Sequence, residues 1–196
     1  GQKPHRDLFA DIETYRGIDF AQFSANKDFQ SGGPDFAFPE DYTERWALPF
    51  ADSSYDHAAA FEVAEHHPVP HRLLGELARV VRPGGYIFLS WPFVFPLHEE
   101  PHDHFRYTHH QMTRLALEAG LTPVRFFRTG GLVPALVTLV SYHVAVFHDR
   151  GGWRQWAALA IYPLVLGLQY AALPFAGIGI DRTVLTYVGL LQKPVR

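Results

Sequence analysis

The segment 48–66 constrains the fold of this chain more than any other part of the sequence. Turn-forming residues occupy positions 51–54, and a run of small apolar residues follows Asp56. The run has the length of a buried strand and ends at Glu62, where polar residues return. Open α/β sheets hold ligands at the carboxyl ends of buried parallel strands. The segment therefore predicts an α/β sheet with a ligand site beside Glu62.

Composition limits the size of the core, the compartment and the partners. A chain of 196 residues with 47% hydrophobic residues can form one sizeable core. The net charge of -3 offers no basic face for a nucleic acid, so we expect no nucleic-acid partner. The absence of cysteine excludes disulfides and thiolate metal ligands and fits a reducing compartment. We therefore expect a cytoplasmic protein.

Hydrophobic periodicity, helix-capping residues and helix-ending glycines predict the other elements of the fold. An amphipathic helix is expected over 70–81, and Thr108 has the spacing of a capping box for a helix that Gly120 closes. The predicted strands cover 13–19, 35–38, 56–61, 86–91, 122–128 and 183–192.

The loop 92–107 follows the strand 86–91 and should therefore lie beside the same ligand crevice. Its chemically active residues are His98, Glu99, Glu100, His102, Asp103, His104 and Arg106. A catalytic or substrate-binding loop and a histidine-rich surface lid with internal salt bridges both remain open. A zinc site is a weaker alternative because no helical framework presents its candidate ligands, which are His98, Glu99, His102 and His104.

Three strings carry a resemblance to a known family. They are LPFADSSYD with EVAEH over 48–66, RVVRPGGYIFLSWP over 79–92, and HEEPHDHFRYT over 98–108. In order and spacing the chain resembles class I S-adenosylmethionine-dependent methyltransferases of the type 11-like group. The resemblance implies a Rossmann-like three-layer α/β sandwich with an antiparallel last strand pair, formed by 1–128 plus 183–196. The first strand of that fold is missing, so we expect an N-terminally truncated chain.

The resemblance also implies S-adenosyl-L-methionine as the cofactor. Gly1 resembles the last glycine of the family's phosphate-loop analogue, and Asp19 follows 18 positions later, near the spacing of a ribose-binding acid. A turn-capping role for Asp19 is the alternative. The expected cofactor contacts are Gly1, Asp19, Phe20, Glu44, Leu48, Phe61, Glu62 and His66.

Methyl transfer to a small-molecule or lipid-linked acceptor is the activity that the resemblance implies. The reaction requires an aligned acceptor, exclusion of water and, for many acceptors, removal of a proton. We expect His102 to be the general base or acceptor-positioning residue, with His98 next and Asp103 orienting an imidazole. Arg106 and Tyr107 are the expected substrate contacts, and no metal ligand is assigned.

An apolar helical hairpin insert is predicted over 129–182. Its first apolar run has 16 residues, about 24 Å as a helix against a hydrocarbon core of roughly 30 Å. Arg150, Trp153, Arg154 and Trp156 cluster at the tip, which suits a membrane interface. We favour a hairpin on or dipping into the inner face of a membrane. A soluble cap or dimer surface and full spanning remain open.

Two other classes of function compete with methyl transfer. One is a non-catalytic, membrane-peripheral binding module with a degenerate methyltransferase fold. The other is a metal-dependent hydrolase on a different fold, which would lose activity to chelators and be unaffected by Asp19→Ala.

Overall fold

A computed structural model describes residues 12–19, 35–37, 45–180 and 182–195 of the chain. The chain forms two compact units, Gly1–Phe50 and Ala51–Arg196. The first unit contains a short parallel strand pair, β1 (Ile18–Asp19) and β2 (Phe36–Ala37). The larger sheet and the helices described below belong to the second unit.

The strand pair of the first unit is shorter than the sequence predicts. Pairing begins at Ile18 rather than at residue 13. The reason is that the Gly17 N–H donates to Asp35 Oδ2 at 2.7 Å, while the Asp35 N–H donates to the Gly17 carbonyl at 2.8 Å. A side chain therefore takes the donor that would otherwise extend the ladder. Phe36 packs edge-on against Phe50 with ring centroids 5.0 Å apart.

The second unit is built around a four-stranded mixed sheet. Its elements are β3 (Tyr55–Phe61), α1 (Pro70–Val80), β4 (Val81–Pro92), α2 (His109–Glu118), β5 (Thr122–Thr129), α3 (Leu132–Asp149), α4 (Trp153–Ala172), a 3-10 turn (Leu173–Phe175) and β6 (Thr186–Gln192). The strand order is β3-β4-β6-β5; β3 and β4 are parallel, and β6 is antiparallel to both of its neighbours. This arrangement confirms a Rossmann-like α/β fold with an antiparallel last strand pair.

Strand β4 lies at the centre of the core. Ile87, Leu89 and Trp91 are fully buried, and the Trp91 indole donates from Nε1 to the Tyr107 carbonyl at 2.9 Å. By contrast, β3 is an edge strand of this sheet, and among its seven described residues only Ala60 is buried. The prediction that β3 is fully buried is therefore wrong. Within the four-stranded sheet β3 has one neighbouring strand, β4, and its other edge is unpaired in that sheet.

Helix α1 fixes the turn that precedes β3. Its apolar face packs on β4, as the periodicity predicts. Arg79 donates to Glu76 from Nε and Nη2 at 2.9 and 2.8 Å, and to Asp52 Oδ1 from Nη1 at 2.7 Å. The Ser53 N–H also donates to the Arg79 carbonyl at 2.9 Å. The turn 51–54 is therefore held against the end of α1.

The predicted boundaries of α2 are confirmed by its capping geometry. Thr108 Oγ1 accepts from the Gln111 N–H at 3.2 Å, and Gly120 closes the helix with φ of 74°. Strand β6 begins three residues later than predicted, at Thr186. The cause is a turn in which the Thr183 N–H donates to the Gly179 carbonyl at 2.8 Å.

Helices α3 and α4 lie between β5 and β6 and pack against each other. The connection uses Gly151 and Gly152, with φ of 68° and 63°, which favour glycine. Most apolar side chains of the pair are exposed; the buried residues of the two helices are Ala135, Ala158, Val165 and Ala172. In the part of the chain that the structure describes, these two helices are long and apolar enough to cross a membrane.

A substitution at Gly85 tests how closely the backbones of β3 and β4 approach each other. A Cβ at this position would lie 2.2 Å from the Asp56 carbonyl oxygen, whereas one at Gly75, inside α1, would meet nothing within 4 Å. We expect Gly85→Ala to lower the free energy of unfolding by about 2–3 kcal/mol. Gly75→Ala should raise it by about 0.5–1 kcal/mol, because alanine favours the helix interior. Urea unfolding followed by circular dichroism measures both, and equal stability of the two variants would contradict the register.

Candidate functional site

The candidate site forms where the segment 62–67, after β3, meets the loop 93–107, after β4. The Glu65 carbonyl accepts from the N–H groups of His104 and Phe105 at 2.9 and 3.2 Å. The Tyr107 hydroxyl donates to the Ala64 carbonyl at 3.3 Å. The parallel pairing of β3 and β4 places their carboxyl ends side by side. These hydrogen bonds then bring the polar residues of both segments into one cluster.

Glu65, His66 and His98 form the centre of this cluster. The Glu65 side chain is fully buried, and its Oε1 lies 3.7 Å from His66 Nε2 and 4.0 Å from His98 Nε2. The two imidazoles meet edge to face with ring centroids 4.8 Å apart. His66 is 5% exposed and the His98 side chain 19% exposed, so the cluster is largely removed from water.

Hydrogen bonds orient both imidazoles toward Glu65. His66 Nδ1 lies 3.1 Å from the His102 carbonyl oxygen. His98 Nδ1 lies 3.2 Å from both the Asp103 carboxylate and the Pro96 carbonyl oxygen. Because the His102 carbonyl is an acceptor, it assigns the proton of a neutral His66 ring to Nδ1. At His98 Nδ1 the two acceptors are joined by one donor, Arg106 Nη2, at the longer distance of 3.5 Å. The Nε2 atoms of both rings face Glu65.

Burial changes the acid–base properties of this cluster. It raises the pKa of Glu65 to about 8; Glu62 and Asp103 add to the rise, while Arg106 and the residue's own backbone N–H oppose it. Burial also lowers the pKa of His66, against the opposing effect of the His102 carbonyl. Among the described residues, neither Glu65 carboxyl oxygen has a hydrogen-bond partner of acceptable geometry. A buried carboxyl in this state is costly unless a ligand pairs with it.

Asp103 and Arg106 hold the loop in shape. Arg106 donates to both carboxylate oxygens of Asp103, at 2.5 and 2.7 Å, and to the Pro96 carbonyl at 2.9 Å. Burial alone would raise the pKa of Asp103, but the hydrogen bonds and charge of Arg106, with help from His98, outweigh burial and lower it. Because these donors bond the loop itself, Arg106 supports the loop rather than presenting a free guanidinium to a substrate.

Tyr107 differs from its expected role, whereas the ring of His102 stands outside the cluster. Tyr107 is 5% exposed, and burial raises the pKa of its phenol. Its hydroxyl bonds the chain after β3, so the structure gives it a packing role rather than a substrate contact. His102 contributes its carbonyl to the cluster, while its half-buried ring contacts that of His104 with centroids 6.5 Å apart.

Glu65 is the residue that sequence reasoning missed. The candidate zinc ligands also differ: within the described chain, the grouped ligand atoms are those of Glu65, His66 and His98, without Glu99, His102 or His104. The adjacent Glu65-His66 pair at the carboxyl end of an apolar strand is the signal that could have revealed the cluster.

Glu62 lies at the edge of the sheet where a cofactor is expected. Its N–H donates to the Ser90 carbonyl at 3.0 Å, and the Ser90 hydroxyl donates to Glu62 Oε1 at 2.6 Å. Its φ is 52°, a left-handed conformation that costs a non-glycine residue free energy. The exposed carboxylate is thus positioned by the two strands, and the half-buried Phe61 precedes it. These features suit a ligand that presents hydroxyl or ammonium donors and an apolar ring.

The other expected cofactor contacts belong to the first unit. Asp19 is the last residue of β1, and the structure describes its backbone alone. Leu48 is 7% exposed. Gly1, Phe20 and Glu44 lie outside the described residues.

An apolar cleft of about 560 Å³ lies beside the cluster. It is lined by the loop residues 93–97 and, from α3, by Leu139, Tyr142 and His143. The Tyr142 hydroxyl donates to the Leu97 carbonyl at 2.8 Å, which joins α3 to the loop. The Phe95 ring contacts both Tyr142 and His98, with centroids 5.7 and 5.1 Å apart. The cleft therefore adjoins the histidine cluster through one aromatic ring.

Comparison with known proteins finds a similarity to methyltransferases over part of the chain. Residues 5–89 match the model of the methyltransferase domain. A protein of Mycobacterium sp. (strain KMS) named uncharacterized methyltransferase is 36% identical over 103 residues, or 50% of this chain and 41% of the relative. A Mycobacterium marinum protein of the same name is 47% identical over 62 residues, or 30% of this chain and 24% of the relative. The chain thus spans well under half the length of these curated relatives.

A solved structure supports the same fold. It is the complex between the Haloferax volcanii Trm112 methyltransferase activator and a methyltransferase. The similarity has a TM-score of 0.56 at 20% identity and covers 97% of this chain and 77% of that chain. At this identity the likeness shows the fold alone.

The Asp103–Arg106 pair should stabilise the loop more than a surface ion pair does. Asp103→Asn leaves a partly buried guanidinium without its anion, so we expect a loss of about 2–3 kcal/mol of unfolding free energy. The matched control is Glu118→Gln, which breaks the exposed Arg114–Glu118 pair at 2.8 Å and should cost about 0.5 kcal/mol or less. Chemical denaturation measures both variants. Similar losses for the two pairs would show that Asp103 does not anchor the loop.

Proposed function

We propose, from the premise that residues 5–89 belong to the methyltransferase domain family, that this protein transfers a methyl group from S-adenosyl-L-methionine to a small-molecule or lipid-linked acceptor. When bound, the cofactor would supply an electrophilic methyl group on a sulfonium centre. The observation that carries the proposal is the placement of Glu62, inside the matched segment, at the joint carboxyl edge of β3 and β4. Ligands of open α/β sheets bind at that edge.

We assign the cofactor contacts to both ends of the matched segment. Asp19 would accept hydrogen bonds from the ribose hydroxyls, and Phe61 and Glu62 would also contact the cofactor. Gly1, Phe20, Glu44 and Leu48 complete the proposed set. His66 is removed from it, because its Nδ1 bonds the His102 carbonyl and its Nε2 faces Glu65 and Glu99.

We assign the acceptor to the apolar cleft between the loop 93–97 and α3. Its lining of phenylalanine, leucine and valine favours an apolar acceptor or the apolar part of a lipid-linked one. For an acceptor that must lose a proton, His102 is the proposed base, because its ring stands outside the buried cluster. His98 is withdrawn as a base, since Nδ1 bonds Asp103 and Pro96 and Nε2 faces a buried carboxyl.

Cofactor binding distinguishes this proposal from a non-catalytic module with the same fold. Calorimetry with S-adenosyl-L-methionine on the full-length protein should give a saturable signal. Asp19→Ala should weaken binding by roughly tenfold or more, because two hydrogen bonds to the ribose are lost. Glu13→Ala, which removes an exposed acid from the same unit, is the control and should bind as the wild type does. Absence of heat at about millimolar cofactor would favour the non-catalytic module.

The exposed apolar surface of α3 and α4 supports a second part of the proposal, contact with a membrane. Trp153 and Trp156, at the tip of the hairpin, are 68% and 73% exposed, and Leu164 is 65% exposed. Arg154 lies over the Trp153 ring at 5.5 Å. Tryptophan and arginine at one end of an apolar pair are typical of a membrane interface. A lipid surface would also deliver an apolar acceptor to the adjoining cleft.

Vesicle flotation tests the membrane contact. The wild type should float with vesicles that contain anionic phospholipids. Leu164→Asp should reduce binding by about tenfold or more, because it removes a large apolar side chain and adds a charge. Leu117→Asp changes a leucine of α2 that is 59% exposed and should leave flotation unchanged. If the wild type stays in the protein fraction, the hairpin is instead a cap or a dimer surface.

A further inference from the structure

We propose that Glu65, His66 and His98 bind a divalent transition-metal cation, for which Zn²⁺ is the best match. The proposal goes beyond methyl transfer, because it concerns a site that the cofactor assignment does not use. Each residue offers one ligand atom, and these atoms all lie within 4.8 Å of one another. Two imidazole nitrogens with one carboxylate oxygen form a donor set common at zinc and other transition-metal sites.

The ligand atoms of the three residues must move slightly closer together to bind one ion. Zinc–nitrogen and zinc–oxygen bonds are about 2.0–2.2 Å long, so two ligand atoms on one tetrahedral ion stand roughly 3.3 Å apart. Glu65 Oε1 lies 3.7 Å from His66 Nε2 and 4.0 Å from His98 Nε2. The third pair, the two imidazole nitrogens, lies within 4.8 Å. The largest contraction is therefore about 1.5 Å, or less than about 1 Å for each atom of the pair.

The unpartnered carboxyl of Glu65 is the observation that points to a ligand. The side chain is completely buried, and both of its oxygens lack a hydrogen-bond partner among the described residues. Natural proteins pair buried carboxyl groups because the desolvation cost is otherwise uncompensated. A cation coordinated between Glu65 and the two imidazoles would compensate it. No described cationic side chain bonds this carboxyl: Arg106, which contributes positive charge nearby, donates instead to Asp103 and to backbone carbonyls.

The surroundings of the two histidines have the arrangement that metal ligands need. A metal-binding imidazole usually donates its second N–H to a carboxylate or a backbone carbonyl, which fixes the ring. Here Asp103 and the His102 carbonyl occupy those positions, at 3.2 and 3.1 Å from Nδ1, and Asp103 is nearer to His98 Nδ1 than the Arg106 Nη2 donor at 3.5 Å. Both Nε2 atoms are thereby directed to the same carboxyl. Polar residues that are close only by chance would lack these partners for the second ring nitrogen.

Glu99 lies outside the group of three but next to His66, on a more exposed side of the cluster. Its Oε2 lies 3.5 Å from His66 Nε2, and its side chain is 47% exposed. It would provide a fourth ligand that solvent or a bound molecule can replace. If the protein methylates as proposed, an acceptor oxygen could take that position; this step rests on the proposed function, whereas metal binding does not. Two imidazoles disfavour Mg²⁺ and Ca²⁺, which prefer oxygen ligands.

Metal titration of the purified chain tests the site. After dialysis against a chelator and its removal, Zn²⁺ is titrated by calorimetry, and retained metal is counted by elemental analysis. We expect one tightly bound equivalent. Glu65→Gln and His98→Asn should each weaken that site by at least about 100-fold, since each removes one of its few protein ligands. His104→Asn, in the same loop but outside the cluster, is the control for weak binding by surface histidines.

Cobalt gives an independent readout of the ligand set. Co²⁺ bound by the wild type and by His104→Asn should show the visible d–d absorption of a low-coordinate nitrogen and oxygen site, which Glu65→Gln and His98→Asn should lack. If Glu65→Gln does not fold, His98→Asn decides the question, because its side chain is partly exposed. Wild-type affinity in both cluster variants, or loss of binding in His104→Asn, would overturn the assignment. Tight zinc binding without cofactor binding would support the site and reject methyl transfer.

Discussion

The hydrogen bonds between Glu65 and the loop after β4 are the interaction on which the candidate site depends. The Glu65 carbonyl receives two loop N–H groups, from His104 and Phe105. This backbone pairing buries the Glu65 side chain, brings His98 against it and places the His102 carbonyl on His66. One short stretch of main-chain pairing therefore creates the cluster, and the Asp103–Arg106 pair keeps the loop in the conformation that the pairing requires.

The cluster is an exception to the general chemistry of this core. Elsewhere a buried acid has a partner: Glu76 is bound by two nitrogens of Arg79, and Asp103 by two nitrogens of Arg106. Glu65 is as deeply buried, yet its nearest ring nitrogens stand at 3.7 and 4.0 Å, beyond hydrogen-bond distance. Unpaired polar groups that persist inside a protein are usually functional. This contrast within one domain is the reason for treating Glu65 as part of a binding site.

Local sequence patterns predicted much of the second unit, because those elements follow from local rules. The apolar face of α1, the Thr108 cap of α2 and the apolar core of β4 are each readable within about a dozen residues. The insertion of β6 between β4 and β5 follows from the family resemblance rather than from local pattern. The edge position of β3 and the short β1 were not readable, because both depend on partners distant in sequence.

The candidate site was readable only in part, for the same reason. Glu62 directly follows a parallel strand, and ligands of open α/β sheets bind at the carboxyl ends of such strands. Its place in the site was therefore predictable from strand order alone. The burial of Glu65 depends on a loop that begins about thirty residues later. A pattern among neighbouring residues cannot show that these two segments contact each other. Likewise, Arg106 reads as a free cation in the sequence, but its donors are used by Asp103, Phe95 and Pro96. Residue type was predictable, whereas the partner of each residue was set by tertiary structure.

The loop after β4 also connects the buried cluster to the apolar hairpin. Tyr142 of α3 bonds the Leu97 carbonyl and contacts Phe95, which in turn contacts His98. Displacement of α3 would therefore move the ring that packs on a proposed metal ligand. If α3 lies on a membrane and the cleft beside it receives the acceptor, binding of either would act on His98 through these same contacts.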